Sequence, residues 1–163
     1  MIQELDPWVG LEPEVVHAML ALGGVGRNVR HADLGAGDGR FCAEALAMGA
    51  KSSIGYELSP TLVAQAQALG RNVTTRDVFE LSVGELRQID VLTAWFTVEP
   101  GTTQLLQLLY ERMLAGMKLV LLYNSRVQYP QEGGQVEQGI PAHVWQPTQA
   151  QWVIGNKILL YVR

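Results

Sequence analysis

The sequence predicts an α/β domain, a mostly parallel sheet with helices on both faces. Three observations lead there. A run from Val29 to Leu34 that reads as a buried strand is followed by Gly35, Gly37 and Gly39, then by Phe41, Cys42, Ala45, Leu46 and Met48 at helical spacing. Short apolar runs alternate with amphipathic segments along the rest of the chain. Little between Asn124 and Lys157 has the pattern of a long crossover helix, so the last two strands are expected to join as an antiparallel pair.

Composition bounds the answer. The 163 residues are 48% hydrophobic and 17% charged, which suits one folded domain with a sizeable core: residues 1–24 as N-terminal segment and helix, 29–163 as the main body. Apolar runs such as Leu119 to Tyr123 fall far short of a membrane span. A net charge of -4 gives no broad electrostatic footprint for nucleic acid. One cysteine, Cys42, rules out an internal disulfide, and Met1 to Asp6 lack a signal-peptide layout, so a cytoplasmic location is expected.

Taken in order, Leu11 to Leu20 is an amphipathic helix with Pro13 at its first position, an apolar stripe of Val15, Val16, Met19 and Leu20, and a stop at Gly23-Gly24. The strand, turn and helix from Val29 follow, ended by Gly49. Ser53 to Glu57 is a second strand. Ser59 caps a helix with Pro60 in its first turn and Leu62, Val63, Ala66 and Leu69 inward. Asn72 to Thr75 is a third strand, and Glu80 to Gln88 holds at most one helical turn. Ile89 to Phe96 is a strand buried on both faces, broken at Glu99-Pro100-Gly101. Thr103 to Met113 is helical, with Leu105, Leu106, Leu109 and Met113 inward. Lys118 to Asn124, Ala142 to Trp145 and Lys157 to Val162 complete the strands, and polar, Gly-rich Gln131 to Gly139 is a loop.

The turn after the first strand carries the chemistry. Strand, glycine turn and helix form the unit that receives a nucleotide-like ligand, with helix N–H groups available to its oxygen atoms. Dinucleotide sites read G-x-G-x-x-G. Here the pattern is Asp33-x-Gly35-x-Gly37-x-Gly39, and an acid before the first glycine favours a positively charged group over a pyrophosphate. Glu57 ends the second strand about 20 residues later, where an acid grips ribose hydroxyls.

The run Asp33-Leu34-Gly35-Ala36-Gly37-Asp38-Gly39-Arg40, with Gly55-Tyr56-Glu57-Leu58-Ser59-Pro60, resembles the class I S-adenosylmethionine-dependent methyltransferases. It is most similar to small protein-lysine methyltransferases of the archaeal broad-specificity and mitochondrial ATP synthase c-subunit types. The resemblance implies a Rossmann-like, mostly parallel seven-stranded sheet with an antiparallel last strand. It implies S-adenosyl-L-methionine as cofactor, bound by Asp33, Gly35, Gly37, Asp38, Gly39, Glu57, Leu58, Asp77, Val78 and Ala94. Asp33 would act near the amino group, Glu57 on the ribose, and Asp77 with Val78 at the adenine. Trp95 and Glu99 would be the catalytic pair, Trp95 as a desolvating floor and Glu99 docking an ammonium; Tyr123 and Asn124 are further rim candidates.

Departures from the family narrow the acceptor. The fourth strand reads Ala94-Trp95-Phe96-Thr97, without the N/D-P-P-Y/F that holds planar amide or adenine nitrogens, and Glu12 stands where relatives often carry a hydroxyl residue. The expected partners are S-adenosylmethionine, S-adenosylhomocysteine and a protein substrate, with no nucleic acid and no membrane, for a monomer or homodimer. A non-catalytic S-adenosylmethionine-binding module and an NAD-binding oxidoreductase domain are the alternatives; the missing G-x-G-x-x-G spacing and Tyr-x-x-x-Lys pair count against the second. Other readings are plain packing: Trp8, Trp145 and Trp152 as core, Cys42 as a small buried residue. His17, His31 and His143 lack metal-ligand spacing, so no metal is expected.

Overall fold

The computed structural model describes residues 10–95, 101–123 and 145–163. Its elements are α1 (Pro13–Leu22), β1 (Arg30–Leu34), α2 (Arg40–Ala47), β2 (Ser52–Glu57), α3 (Pro60–Ala68), β3 (Val73–Thr75), a 3-10 turn at Val78–Glu80 and α4 (Val83–Leu86). β4 (Val91–Trp95), α5 (Gly101–Arg112), β5 (Lys118–Tyr123), β6 (Gln149–Val153) and β7 (Asn156–Val162) complete the chain. The seven strands form one sheet in the order β3-β2-β1-β4-β5-β7-β6. The first five are parallel; β7 runs antiparallel to β5 and to β6, as the missing crossover helix implied.

Helices clothe both faces of the sheet, whose central strands β4 and β5 bury apolar side chains on both sides. On one face, α1 buries Val15, Val16, Met19 and Leu20 and α2 buries Phe41 and Ala45 against Val91, Val120, Leu122 and Ile158. Each such side chain contributes about 1.5–3 kcal/mol on leaving water. On the other, Leu105, Leu106, Leu109 and Met113 of α5 pack against Leu34, Leu92, Leu119 and Tyr161. Ser59 accepts a long bond, 3.4 Å, from the Leu62 N–H at the start of α3. The doubtful stretch after β3 holds a single turn, α4, closed by a capping box between Ser82 and Glu85.

Three expectations are corrected. The sixth strand is Gln149–Val153, and Trp145 lies outside any strand, buried against Tyr110 and Tyr161; residues 142–144 lie outside the described residues. β6 is an edge strand exposed along almost its whole length, so it carries no apolar alternation to announce it. Trp152, read as core, stands on that edge 62% exposed. Leu69, assigned to the inward face of its helix, is exposed because α3 ends at Ala68 and Leu69 is already its C-cap.

Candidate functional site

Strand order reverses between β1 and β4, since the chain builds outward through β2 and β3 on one side and through β5 on the other. In open α/β sheets the crevice at the carboxyl ends of such strands is where ligands sit. The glycine turn leaves β1 there.

Alternation along a strand puts His31 and Asp33 on the same face of β1. Parallel pairing sets Ser53 of β2 beside His31 and Thr93 of β4 beside Asp33. All four side chains are buried and joined in a line. His31 Nδ1 lies 2.7 Å from Ser53 Oγ and His31 Nε2 lies 2.8 Å from Thr93 Oγ1. The Thr93 hydroxyl donates to Asp33 Oδ1 at 2.6 Å. Burial pushes the Asp33 carboxyl up to about 8, helped by the negative Glu57 and Asp38, while the Thr93 bond opposes the shift. Burial holds His31 down at about 3, keeping it neutral.

Above Asp33 the turn is bonded to the chain itself. The N–H groups of Gly35 and Ala36 both donate to Tyr56 O at 2.9 Å, and Gly39 N–H donates to Ala36 O at 2.8 Å. The Glu57 carboxylate accepts from Gly37 N–H on Oε2 at 2.8 Å and from Ser59 N–H on Oε1 at 2.9 Å. These turn N–H groups are therefore consumed internally. Each Glu57 oxygen keeps one further acceptor position.

Asp38 and Gly39 turn out to have structural duties. The Asp38 carboxylate accepts from Arg40 Nη2 at 3.0 Å and meets Arg71 Nη1 at 3.2 Å. Burial pushes that carboxyl up, but the bonds from Arg40 outweigh it and hold Asp38 below its ordinary value. Arg40 Nη1 also donates to Leu11 O at 2.7 Å, tying the segment before α1 to the turn. Gly39 takes φ 76° as the N-cap of α2, and a Cβ there would sit 2.8 Å from Val73 Cγ2.

The remaining predicted residues are spread along the crevice. Asp77 caps the 3-10 turn, its Oδ1 accepting from Phe79 N–H at 2.9 Å, and Val78 is buried behind it. Arg112 pins this turn from α5 by donating to Leu81 O at 2.6 Å. Leu58 is exposed beyond β2, and Ala94 is buried in β4. Trp95 ends β4 with its Nε1 buried, and no acceptor among the described residues reaches it. Gly10, Leu11, Asp33, Gly35, Ala36, Asp38, Arg40, Phe41 and Trp95 line one narrow cavity of about 30 Å³, room for a small polar group. Tyr123 is the last residue of β5. Glu99, Phe96, Thr97, Asn124, His143, Trp8 and residues 131–139 lie outside the described residues. Among the described residues no cluster of His, Cys, Asp or Glu could hold a metal ion.

No family model matches the chain, and no match is found among curated proteins. Solved structures do match. An RNA methyltransferase from Salinibacter ruber, in complex with S-adenosyl-L-homocysteine, superposes with a TM-score of 0.75 at 21% identity over 94% of this chain and 93% of its own. A TehB-like S-adenosylmethionine-dependent methyltransferase from Corynebacterium glutamicum gives 0.66 at 17% identity, over 91% of this chain and 87% of that one. Magnesium protoporphyrin IX methyltransferase from Synechocystis, with bound S-adenosylmethionine, gives 0.62 at 16% over 92% and 76%. The chain has the Rossmann-like methyltransferase fold.

In this methyltransferase fold the turn and the acids of the crevice are legible in local spacing, and the side chains that support them are not. His31 lacks metal-ligand spacing, but its place two residues before Asp33 on one strand signals that the two share a face. Ser53 and Thr93 gave no local signal, because they meet His31 and Asp33 only through sheet pairing.

Proposed function

We propose that the chain is an S-adenosylmethionine-dependent methyltransferase acting on lysine side chains of proteins, working in the cytoplasm as a monomer or homodimer. The observation that carries the first half is Asp33: a buried carboxylate in a cavity sized for a small polar group, at the switch point beside the glycine turn. An ammonium entering there relieves the desolvation of the carboxylate by pairing with it. Asp33 would hold the amino group of the cofactor, and the free acceptor positions of Glu57 its ribose hydroxyls. Asp77 and Val78 would flank the adenine, and Ala94 with Trp95 would wall the reacting end. S-adenosylmethionine, when bound, supplies a methyl group already activated on a sulfonium. The protein's task is then orientation and exclusion of water.

For the acceptor, lysine must shed a proton against an ordinary pKa of about 10.4. Desolvation against Trp95 lowers that value, while a carboxylate such as Glu99 raises it and docks the ammonium. Support for a protein acceptor is the lysine-methyltransferase resemblance of residues 29–66, the absence of the planar-nitrogen tetrapeptide after Ala94, and the net charge of -4.

Calorimetric titration with S-adenosylmethionine and S-adenosylhomocysteine, NAD serving as control, tests the cofactor. Binding of both sulfur ligands, lost in Glu57→Ala, is expected; preference for NAD overturns it. Methyl transfer from labelled cofactor to cell protein, RNA and small-molecule fractions then tests the acceptor. Label in lysine supports the proposal, label in RNA or small molecules replaces the acceptor, and binding without transfer leaves a cofactor-binding module.

A further inference from the structure

The geometry points to His31 as a positioning residue for Asp33: clamped between Ser53 and Thr93, it turns the single hydrogen of the Thr93 hydroxyl onto the carboxylate. Above a pH of about 8, where the Asp33 carboxyl is ionised, it can only accept. Thr93 must therefore donate its one hydrogen to Asp33 Oδ1, and its oxygen must accept from His31. That requires the hydrogen of the imidazole to lie on Nε2, which leaves Nδ1 to accept from the Ser53 hydroxyl. Every link thus points towards Asp33, from β2 through β1 to β4 and back.

A neutral imidazole is essential to this order, because an imidazolium would donate at both nitrogens and turn the Ser53 hydrogen away. The burial that holds His31 at about 3 supplies it. Each bond polarises the next in a buried site, so donation by Nε2–H strengthens the Thr93 hydroxyl as a donor. A hydrogen bond to the charged form favours that form. His31 acts against the burial, Glu57 and Asp38, all of which raise the Asp33 carboxyl. What is oriented is an acceptor that gives up its proton more readily when a cationic group arrives. That the cation is the cofactor's ammonium rests on the proposed function; the hydrogen-bond order does not.

Nuclear magnetic resonance on the ligand-free protein tests the order without any variant. With histidine labelled in ¹⁵N, His31 at pH 9 is expected as the neutral Nε2–H form with a bare Nδ1; the Nδ1–H form or an imidazolium overturns the proposal. With aspartate labelled in ¹³C, His31→Phe is expected to move the Asp33 titration to higher pH, and His31→Gln, which restores an N–H towards Thr93, to bring it back. A role in packing alone would lower the melting temperature of His31→Phe and leave that titration in place. S-adenosylhomocysteine should bind His31→Phe about tenfold more weakly than wild type, the size of one hydrogen bond to a charged group. If wild type fails to bind it, the methyltransferase reading falls while the two titration measurements still decide the role of His31. If His31→Phe does not fold, the tautomer in the wild-type chain alone decides.

Discussion

Thr93 and Asp33 face each other across β4 and β1, and the hydroxyl of one donates to the carboxylate of the other at 2.6 Å where neither side chain meets solvent. A carboxyl so placed is costly to ionise and useful once a cation arrives. Stability and binding therefore pull Asp33 in opposite directions.

The pH dependence of folding follows. Asp33 titrates at 3.8 ordinarily and at about 8 when folded. The folded chain holds the extra proton between those values, so this contribution to stability is full below the first and lost as pH rises through the second. Asp33→Asn removes the loss. Thermal melts at pH 5 and pH 9 should show the variant gaining on wild type at the higher pH, while titration shows cofactor binding weakened.

His31 has the opposite sign. Its ordinary value of 6.5 falls to about 3 on folding, so the stability it contributes is present above 6.5 and lost as pH falls towards 3. In the Asp33→Asn variant, where the opposing Asp33 contribution is gone, denaturant melts from pH 7 down to pH 4 should show stability declining, because only the unfolded chain lets His31 take up a proton. A histidine resonance for His31 that titrates near 6.5 in the folded chain would contradict this.

Gly39 and Gly49 separate two costs. Both have positive φ, 76° and 92°, but a Cβ at Gly39 would meet Val73 while one at Gly49 meets nothing within 4 Å. Gly49→Ala should cost about 1–2 kcal/mol for the backbone alone. Gly39→Ala should cost more, through repacking of Val73 and Arg71 by a further 1–3 kcal/mol or so. Equal melting temperatures for the two variants would show that the turn yields to the added methyl.

Glu57→Gln keeps the shape of the side chain but puts an N–H where an acceptor is required, so either Gly37 or Ser59 loses its partner. The expected cost is about 1–3 kcal/mol. Hydrogen exchange should quicken at one of those amides, and S-adenosylhomocysteine should bind more weakly. Unchanged exchange at both would mean the bonds do not hold the turn in solution.

Arg40→Lys should loosen the cavity wall rather than its floor. A lysine cannot reproduce the fork that reaches both Asp38 and Leu11 O. Melting temperature should fall by a few degrees, as for a loss of about 1–2 kcal/mol in a chain of this size, with Asp33's titration unmoved.

Much of the fold could be read from local signals. Pro13, Gly23-Gly24, Ser59-Pro60 and the three alternate glycines are punctuation whose meaning lies within a few residues. β6 could not be read that way: Gln149 to Trp152 face solvent, and what makes them a strand is pairing with β7. The site divides along the same line. Asp33, Gly35, Gly37 and Glu57 carry spacing that sequence alone displays, whereas the contacts of Thr93 with Asp33 and of Asp38 with Arg71 join residues far apart in the chain. The inner duties of Asp38 and Gly39 were hidden for that reason.

The line of polar side chains under the turn also acts as a check on assembly. Sliding β4 past β1 by one residue would send Thr93 to the opposite face of the sheet and bring Leu92 or Ala94 to the carboxylate. Such a slip leaves apolar burial nearly intact, because both faces of β4 are lined with aliphatic side chains. It would leave Asp33 and the Nε2 of His31 without their partner in a buried interior, at about 1–3 kcal/mol or more for each. β2, β1 and β4 thus have a single alignment that leaves no polar atom of this group without a partner, and the side chains proposed to seat the ligand are the ones that proofread it.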